Sequence, residues 1–173
     1  MADETIVLNQ LDEARLARQL KWDRRFLEIA QKVADWSKDP STKVGTIIID
    51  RNNRLVSTGY NGFPQGVLDL PERYNDRNAK YSMIIHSELN AIIFAKRDLR
   101  GYTLYSYPLQ PCDRCAGPII QTGIKRCVAP PCPPDKDTRW QKSFQVAQTM
   151  FKEAGVRLDL IELSPKYLGG ISA

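Results

Sequence analysis

The sequence predicts an α/β protein in which one mixed, five-stranded sheet lies between helices, a three-layer α-β-α sandwich. Three observations carry this. Short β-branched apolar runs alternate with helical periodicities, in the order helix, hairpin, helix, strand, helix, strand, helix, strand, which calls for a sheet covered on both faces. The opening hairpin is antiparallel, whereas the later β-α-β steps should be parallel and right-handed, so the sheet is mixed. The chain has 173 residues, 42% hydrophobic and 26% charged, values that suit one ordinary domain with a real core. Residues 1–173 therefore read as a single domain, with mobile ends at 1–12 and 165–173.

The elements follow from local signals. Residues 15–37 form an amphipathic helix, with Phe26, Ile29, Ala30, Val33 and Trp36 on one face, until "DPST" breaks it. "KVGTIIID" and "RLVSTGYN" flank "RNN" as a hairpin. Residues 62–80, rich in Pro, Gly, Asn and charge, read as one long loop, of the kind that is usually functional or mobile. "SMIIHSELNAIIFAKRD" is helical, with Leu89, Ile92, Ile93 and Lys96 in period, and the chain turns at Gly101. "YTLYSY" is a strand. "CDRCAGPIIQT" is a short helix closed by Gly123, and "IKRCVA" is a strand that the Pro-rich "PPCPPDKDT" cannot continue. Trp140 to Ala154 is a helix with Trp140, Phe144, Ala147 and Phe151 on one side, ended by Gly155, and "VRLDLIEL" is the last strand.

Composition narrows the function. No apolar run approaches the ~20 residues of a membrane span. The N-terminus has no basic stretch followed by an apolar one, so no secretory leader is expected there. Four cysteines in a chain this long do not make a disulfide framework, which points to a reducing cytoplasm. The net charge of +5 and pI of about 9.1 suit anionic ligands, and equally an ordinary soluble protein, because the bases are scattered.

The chemistry concentrates in "HSE" (His86, Glu88) and "PCDRC" (Cys112, Cys115). Cys-x-x-Cys alone fits a redox couple, a structural zinc site or a catalytic one. His86 is the single histidine of the chain. Zinc takes thiolate and imidazole, and a catalytic site keeps three protein ligands and one open position, which His86, Cys112 and Cys115 would supply. Both motifs fall at predicted helix starts, whose positive dipole ends favour thiolates. Glu88 is too close along the chain to be a comfortable fourth ligand and is placed for general acid–base work on a bound water. Cys127 reads as a buried small hydrophobe, and Cys132 lies in the Pro-rich loop without further ligands for a second metal.

The pattern H-x-E…P-C-x-x-C is the signature of zinc nucleobase deaminases. From Trp22 to Leu163 the chain resembles the deoxycytidylate (dCMP) deaminases, within the cytidine deaminase-like fold. The resemblance is carried by "STKVGTIIID", "STGYNGFPQG", "HSELNAIIFAKR", "YPLQPCDRCAGPIIQTGIK" and "RWQKSFQVAQTMFKEAGV". It implies hydrolysis of dCMP to dUMP and ammonia for thymidylate supply, a zinc cofactor and a cytoplasmic homohexamer. It also implies activation by dCTP and inhibition by dTTP, with Mg2+ accompanying the regulatory nucleotide.

Residue by residue, the resemblance makes His86, Cys112 and Cys115 the zinc ligands and Glu88 the proton shuttle, protonating N3 of the cytosine and later the departing amine. Asn61 matches a residue lying against the substrate sugar. Ser41 and Lys43 are candidates for the 5′-phosphate, although Lys43 also reads as a solvated strand-end lysine. Gly59, Tyr60, Gly62, Phe94 and Arg97 fall where the family's regulatory nucleotide contacts lie. Phe94 could instead pack on a neighbouring subunit, and the glycines could simply make turns. Ser87 replaces the usual alanine, with little effect expected. "PPCPPDKDTRW" replaces a segment where some relatives place a tyrosine on the substrate, leaving Arg139 and Trp140 as substitutes. A polynucleotide deaminase acting on tRNA or single-stranded DNA lacks support, because no basic cluster interleaved with aromatics is present. A nucleoside-level cytidine deaminase differs only in not requiring the phosphate, and a non-catalytic zinc module would have no use for Glu88. Neither a nucleic acid nor a membrane is expected as partner.

Overall fold

The structure is a computed structural model. It describes residues 2–132 and 134–163, with the backbone alone described for 2–10 and 134–139. The elements are α1 (Ala2–Ala34), β1 (Gly45–Ile49), β2 (Leu55–Tyr60), α2 (Pro71–Asn75), α3 (Arg77–Met83), α4 (Ser87–Ala95), β3 (Thr103–Tyr107), α5 (Asp113–Gln121), β4 (Arg126–Ala129), α6 (Pro134–Glu153) and β5 (Arg157–Leu160).

The strands form one mixed sheet in the order β2-β1-β3-β4-β5. β1 is antiparallel to β2 and β3, and β4 is parallel to β3 and β5. Alternation along each strand sorts the core. Ile47, Ile49, Tyr105 and Val128 meet Phe26, Leu27, Ala30 and Val33 of α1. Ile48, Leu104 and Cys127 face the other way, against Cys115 and Ile119 of α5 and Phe144, Ala147 and Phe151 of α6. The expected three layers are present. Among the described residues, no helix is long and apolar enough to cross a membrane.

Four expectations change. α1 begins at Ala2, ahead of the expected residue 15; residues 164–173 lie outside the described residues. The buried stripe of α1 includes Asp23, Leu27 and Ala34, whereas Ile29 sits one step round the helix and Trp36 lies past its end, both exposed. The 62–80 stretch is not one loop. Pro71 opens α2, and Asp76 caps α3 by accepting from the Asn78 and Ala79 amides. Finally, α6 starts at Pro134, ahead of the expected Trp140.

One break places the site. The "SMIIHSEL" helix is interrupted. α3 ends at Met83, and Ile85 exchanges backbone hydrogen bonds of 3.1 and 2.8 Å with Gly62 before α4 starts at Ser87. His86 thereby becomes the extended residue that precedes a helix.

Candidate active site

His86 and Cys112 occupy equivalent places, the N-cap positions of α4 and α5, each in extended backbone. Neither side chain caps its helix, so both are available elsewhere. Cys115 lies one turn into α5. The Sγ atoms of Cys112 and Cys115 each stand 3.3 Å from His86 Nδ1, and all three donor atoms lie within 4.8 Å of one another. Two thiolates and an imidazole are a zinc donor set, and three convergent ligands leave a fourth position open, so the residues fit the metal. The hydrogen bond from Cys115, reinforced by His86, holds the Cys112 thiol down to about 4, while the same bond and burial push Cys115 up. The bond to Cys112 raises His86 against the effect of its burial.

Glu88, in the first turn of α4, is buried. Burial pushes its carboxyl above the usual range, against the opposing effect of His86. Ser87 Oγ donates to Glu88 Oε2 at 3.1 Å. A cavity of about 220 Å³ opens over Glu88, Ser87, His86 and Cys112.

The opposite wall is a polar network that the sequence did not disclose. Asp39 Oδ1 accepts from the Ser41 amide (2.8 Å) and from Lys80 Nζ (3.1 Å), and Lys80 also donates to Ser41 Oγ at 2.9 Å. Asn61 ties the same loop down. Its amide nitrogen donates to Asp39 Oδ2 and the Thr42 carbonyl, and its oxygen accepts from Val44 N at 2.7 Å. Lys80 is 6% exposed, and with Arg77 it is a cation lining the cavity. The Asp-Pro-Ser-Thr turn chemistry announced the loop, but nothing local announced that α3 would carry Lys80 to it.

The expected substrate residues divide. Ser41, Asn61 and Trp140 line the cavity. Lys43 does not: it is exposed, because alternation turns it away from the side taken by Thr42 and Val44, whereas Lys80 and Arg77 do line the cavity. Trp140 stacks on Phe144 with ring centroids 6.0 Å apart, and its buried indole N–H has no partner among the described residues. The Arg139 side chain lies outside the described residues.

The expected regulatory residues are spread along α4. Gly59 is buried beneath it, where a Cβ would strike the Ser87 carbonyl and the Ala91 amide, so its role here is close strand–helix packing. Gly62 bridges Ile85. Tyr60 is half exposed, edge-on to Trp36. Phe94 is 55% exposed. Arg97, past the far end of α4, donates to Tyr102 Oη at 3.0 Å and lines a depression with Asp50, Arg51 and Arg100.

Residues 20–130 match the family model of the cytidine and deoxycytidylate deaminase zinc-binding region. The chain belongs to this family. It is 46% identical over 143 residues to an uncharacterized deaminase in the luxG 3′ region of Aliivibrio fischeri, covering 83% of this chain and 95% of that one. It is 38% identical over 156 residues to the deoxycytidylate deaminase of Mus musculus, covering 86% and 83%. The fold is similar to that of the cyanophage S-TIM5 dCMP deaminase crystallised with dCMP and dUMP, with a TM-score of 0.61 and 22% identity over 79% of this chain and 94% of that one. This protein is a deaminase, and therefore a hydrolase, with His86, Cys112 and Cys115 positioned to bind a metal.

Proposed function

We propose that this deaminase converts dCMP to dUMP and ammonia. The reading rests on one juxtaposition: a single small cavity joins Glu88 and the sulfur–imidazole cluster to a buried ammonium, Lys80, with Arg77 beside it. A cytosine ring and a phosphate are what those two ends recognise. The mouse relative that bears the name deoxycytidylate deaminase supports the same substrate.

His86, Cys112 and Cys115 would hold zinc, which when bound supplies Lewis acidity and lowers the pKa of water to about 7. Glu88 accepts one proton of the attacking water and delivers it to N3 of the cytosine, then accepts the second from the hydroxyl on C4 as the carbonyl forms and delivers that one to the leaving amine. Its raised pKa suits both duties, because a carboxyl shifted upward both takes and returns a proton readily. Trp140 and Phe144 give the base an apolar wall. Asn61 shapes the sugar side by pinning the 39–44 loop, and Ser41 and Lys80 direct donors at the 5′-phosphate.

The reading extends to a cytoplasmic homohexamer, activated by dCTP and inhibited by dTTP with Mg2+. The exposed Ile93 and Phe94 on the outer face of α4, beside the edge strand β2, support assembly there.

The test follows the loss of cytosine absorbance with dCMP and with deoxycytidine at matched concentration. Turnover of dCMP alone is expected, and turnover of neither would overturn the assignment. Rate curves against dCMP that dCTP and dTTP leave unchanged would remove the regulatory part.

A further inference from the structure

Three residues form a row across the sheet directly beneath the start of α4. Gly59 of β2, Thr46 of β1 and Ser106 of β3 are register partners. Thr46 and Ser106 are fully buried, in a layer otherwise filled by Ile48, Leu104 and Cys127. Buried hydroxyls among aliphatic side chains need partners. Thr46 Oγ1 lies 2.8 Å from Ser87 Oγ and 3.5 Å from Ser106 Oγ. Ser87, itself fully buried, continues the line to Glu88 Oε2.

We infer that Ser87 is a positioning residue for Glu88, held in turn by Thr46. A hydroxyl carries one proton. With that of Ser87 given to Glu88, Thr46 must be the donor to Ser87; the competing contact, in which Thr46 would donate to Ser106, is 3.5 Å and at the limit of a bond. The order Thr46 to Ser87 to Glu88 fixes which way the carboxylate plane faces. The expectation that a serine at this position has little effect is replaced. Gly59 is part of the device, because only a glycine there lets the first turn of α4 approach close enough for Thr46 to reach Ser87.

The inference rests on the reading of Glu88 as the proton carrier, so its test separates the two. Steady-state kinetics on dCMP are measured for wild type, Ser87→Ala, the near-isosteric Thr46→Val, the double variant and Glu88→Gln, with zinc content for each. Loss of a group that orients a working side chain costs about tenfold. Ser87→Ala should lower kcat by about that factor, with KM within about twofold and zinc retained. Thr46→Val should lower kcat in the same direction although it touches no ligand, and the double variant should be no worse than Ser87→Ala, since both cut one chain. Losses that multiply, or kcat within twofold of wild type in Ser87→Ala, would overturn the inference. If Glu88→Gln retains turnover, it is the reading of Glu88 that fails. Crystal structures of wild type and Ser87→Ala then judge positioning alone. A rotated or spread Glu88 carboxylate in the variant upholds it, and an unmoved one overturns it. Should Ser87→Ala not fold, Thr46→Val is judged by the same two readouts.

Discussion

Lys80 and Asp39 form a 3.1 Å ion pair on the cavity wall, with side chains only 8% and 6% exposed. The pair joins α3 to the loop after α1, two segments far apart in sequence. Asp39 has other donors in the Ser41 amide and Asn61, so Lys80 is not needed merely to satisfy it. Lys80→Met should therefore lower kcat/KM for dCMP by at least about tenfold, as expected for a lost charged hydrogen bond, and change that for deoxycytidine much less. Equal losses on both substrates would assign Lys80 to the scaffold.

Glu88 and the metal ligands should separate cleanly. Glu88→Gln is expected to reduce turnover by about 10²–10⁴-fold, the usual range for a general acid–base group, while retaining zinc. Cys112→Ser should lose the zinc as well. Metal analysis alongside the rates checks both.

Across the sheet, Arg126 binds Asp23 with contacts of 2.6 and 2.7 Å and Asp159 at 2.6 Å. Burial pushes the Asp23 carboxyl up, but hydrogen bonds from Arg126, Tyr105 and Gln19 outweigh it and hold the group below its ordinary 3.8. A carboxyl depressed by folding contributes stability above its unfolded pKa, and that stability is lost as pH falls through the lower folded value. The melting temperature should thus drop as pH falls from 4 toward and below the folded value. Asp23→Asn should melt lower at pH 7, because Arg126 loses its main buried partner at a cost of about 3–5 kcal/mol, and should show a shallower acid limb.

Gly59→Ala drives a methyl group into the backbone of α4. Overpacking of this kind costs about 1–3 kcal/mol. A lower melting temperature together with reduced kcat is expected, since the shifted turn carries Ser87 and Glu88. Unchanged rates at a lowered melting temperature would show that α4 moves without its first turn.

Much of this was legible in the sequence because the signals were local. The β-branched runs, the glycines that close α5 and α6 at φ of +75° and +65°, and the H-x-E and C-x-x-C pairs all act within a few residues. The zinc cluster was legible because His86 had no histidine competitor. Lys80 was not, since its role depends on how Pro71 and Asp76 fold a stretch that composition alone marks as loop. Lys43 looked suitable by type, and only the alternation of the chain turned it outward. Ser87 looked neutral because its partner, Thr46, lies on a strand distant in sequence.

Gly45 and Gly59 are near neighbours in the β1–β2 hairpin and open to opposite faces, one against the backbone of α1 at Ala30 and Ala34, the other against α4 at Ser87 and Ala91. Main chain rests on main chain through all three layers there. The thickness of the molecule at its catalytic end is therefore set by the radii of peptide atoms, not by side-chain volume. Ile48 or Leu104 could be exchanged for other apolar residues and the middle of the slab would swell or shrink, while the spacing at the reactive end stayed gauged by the hairpin.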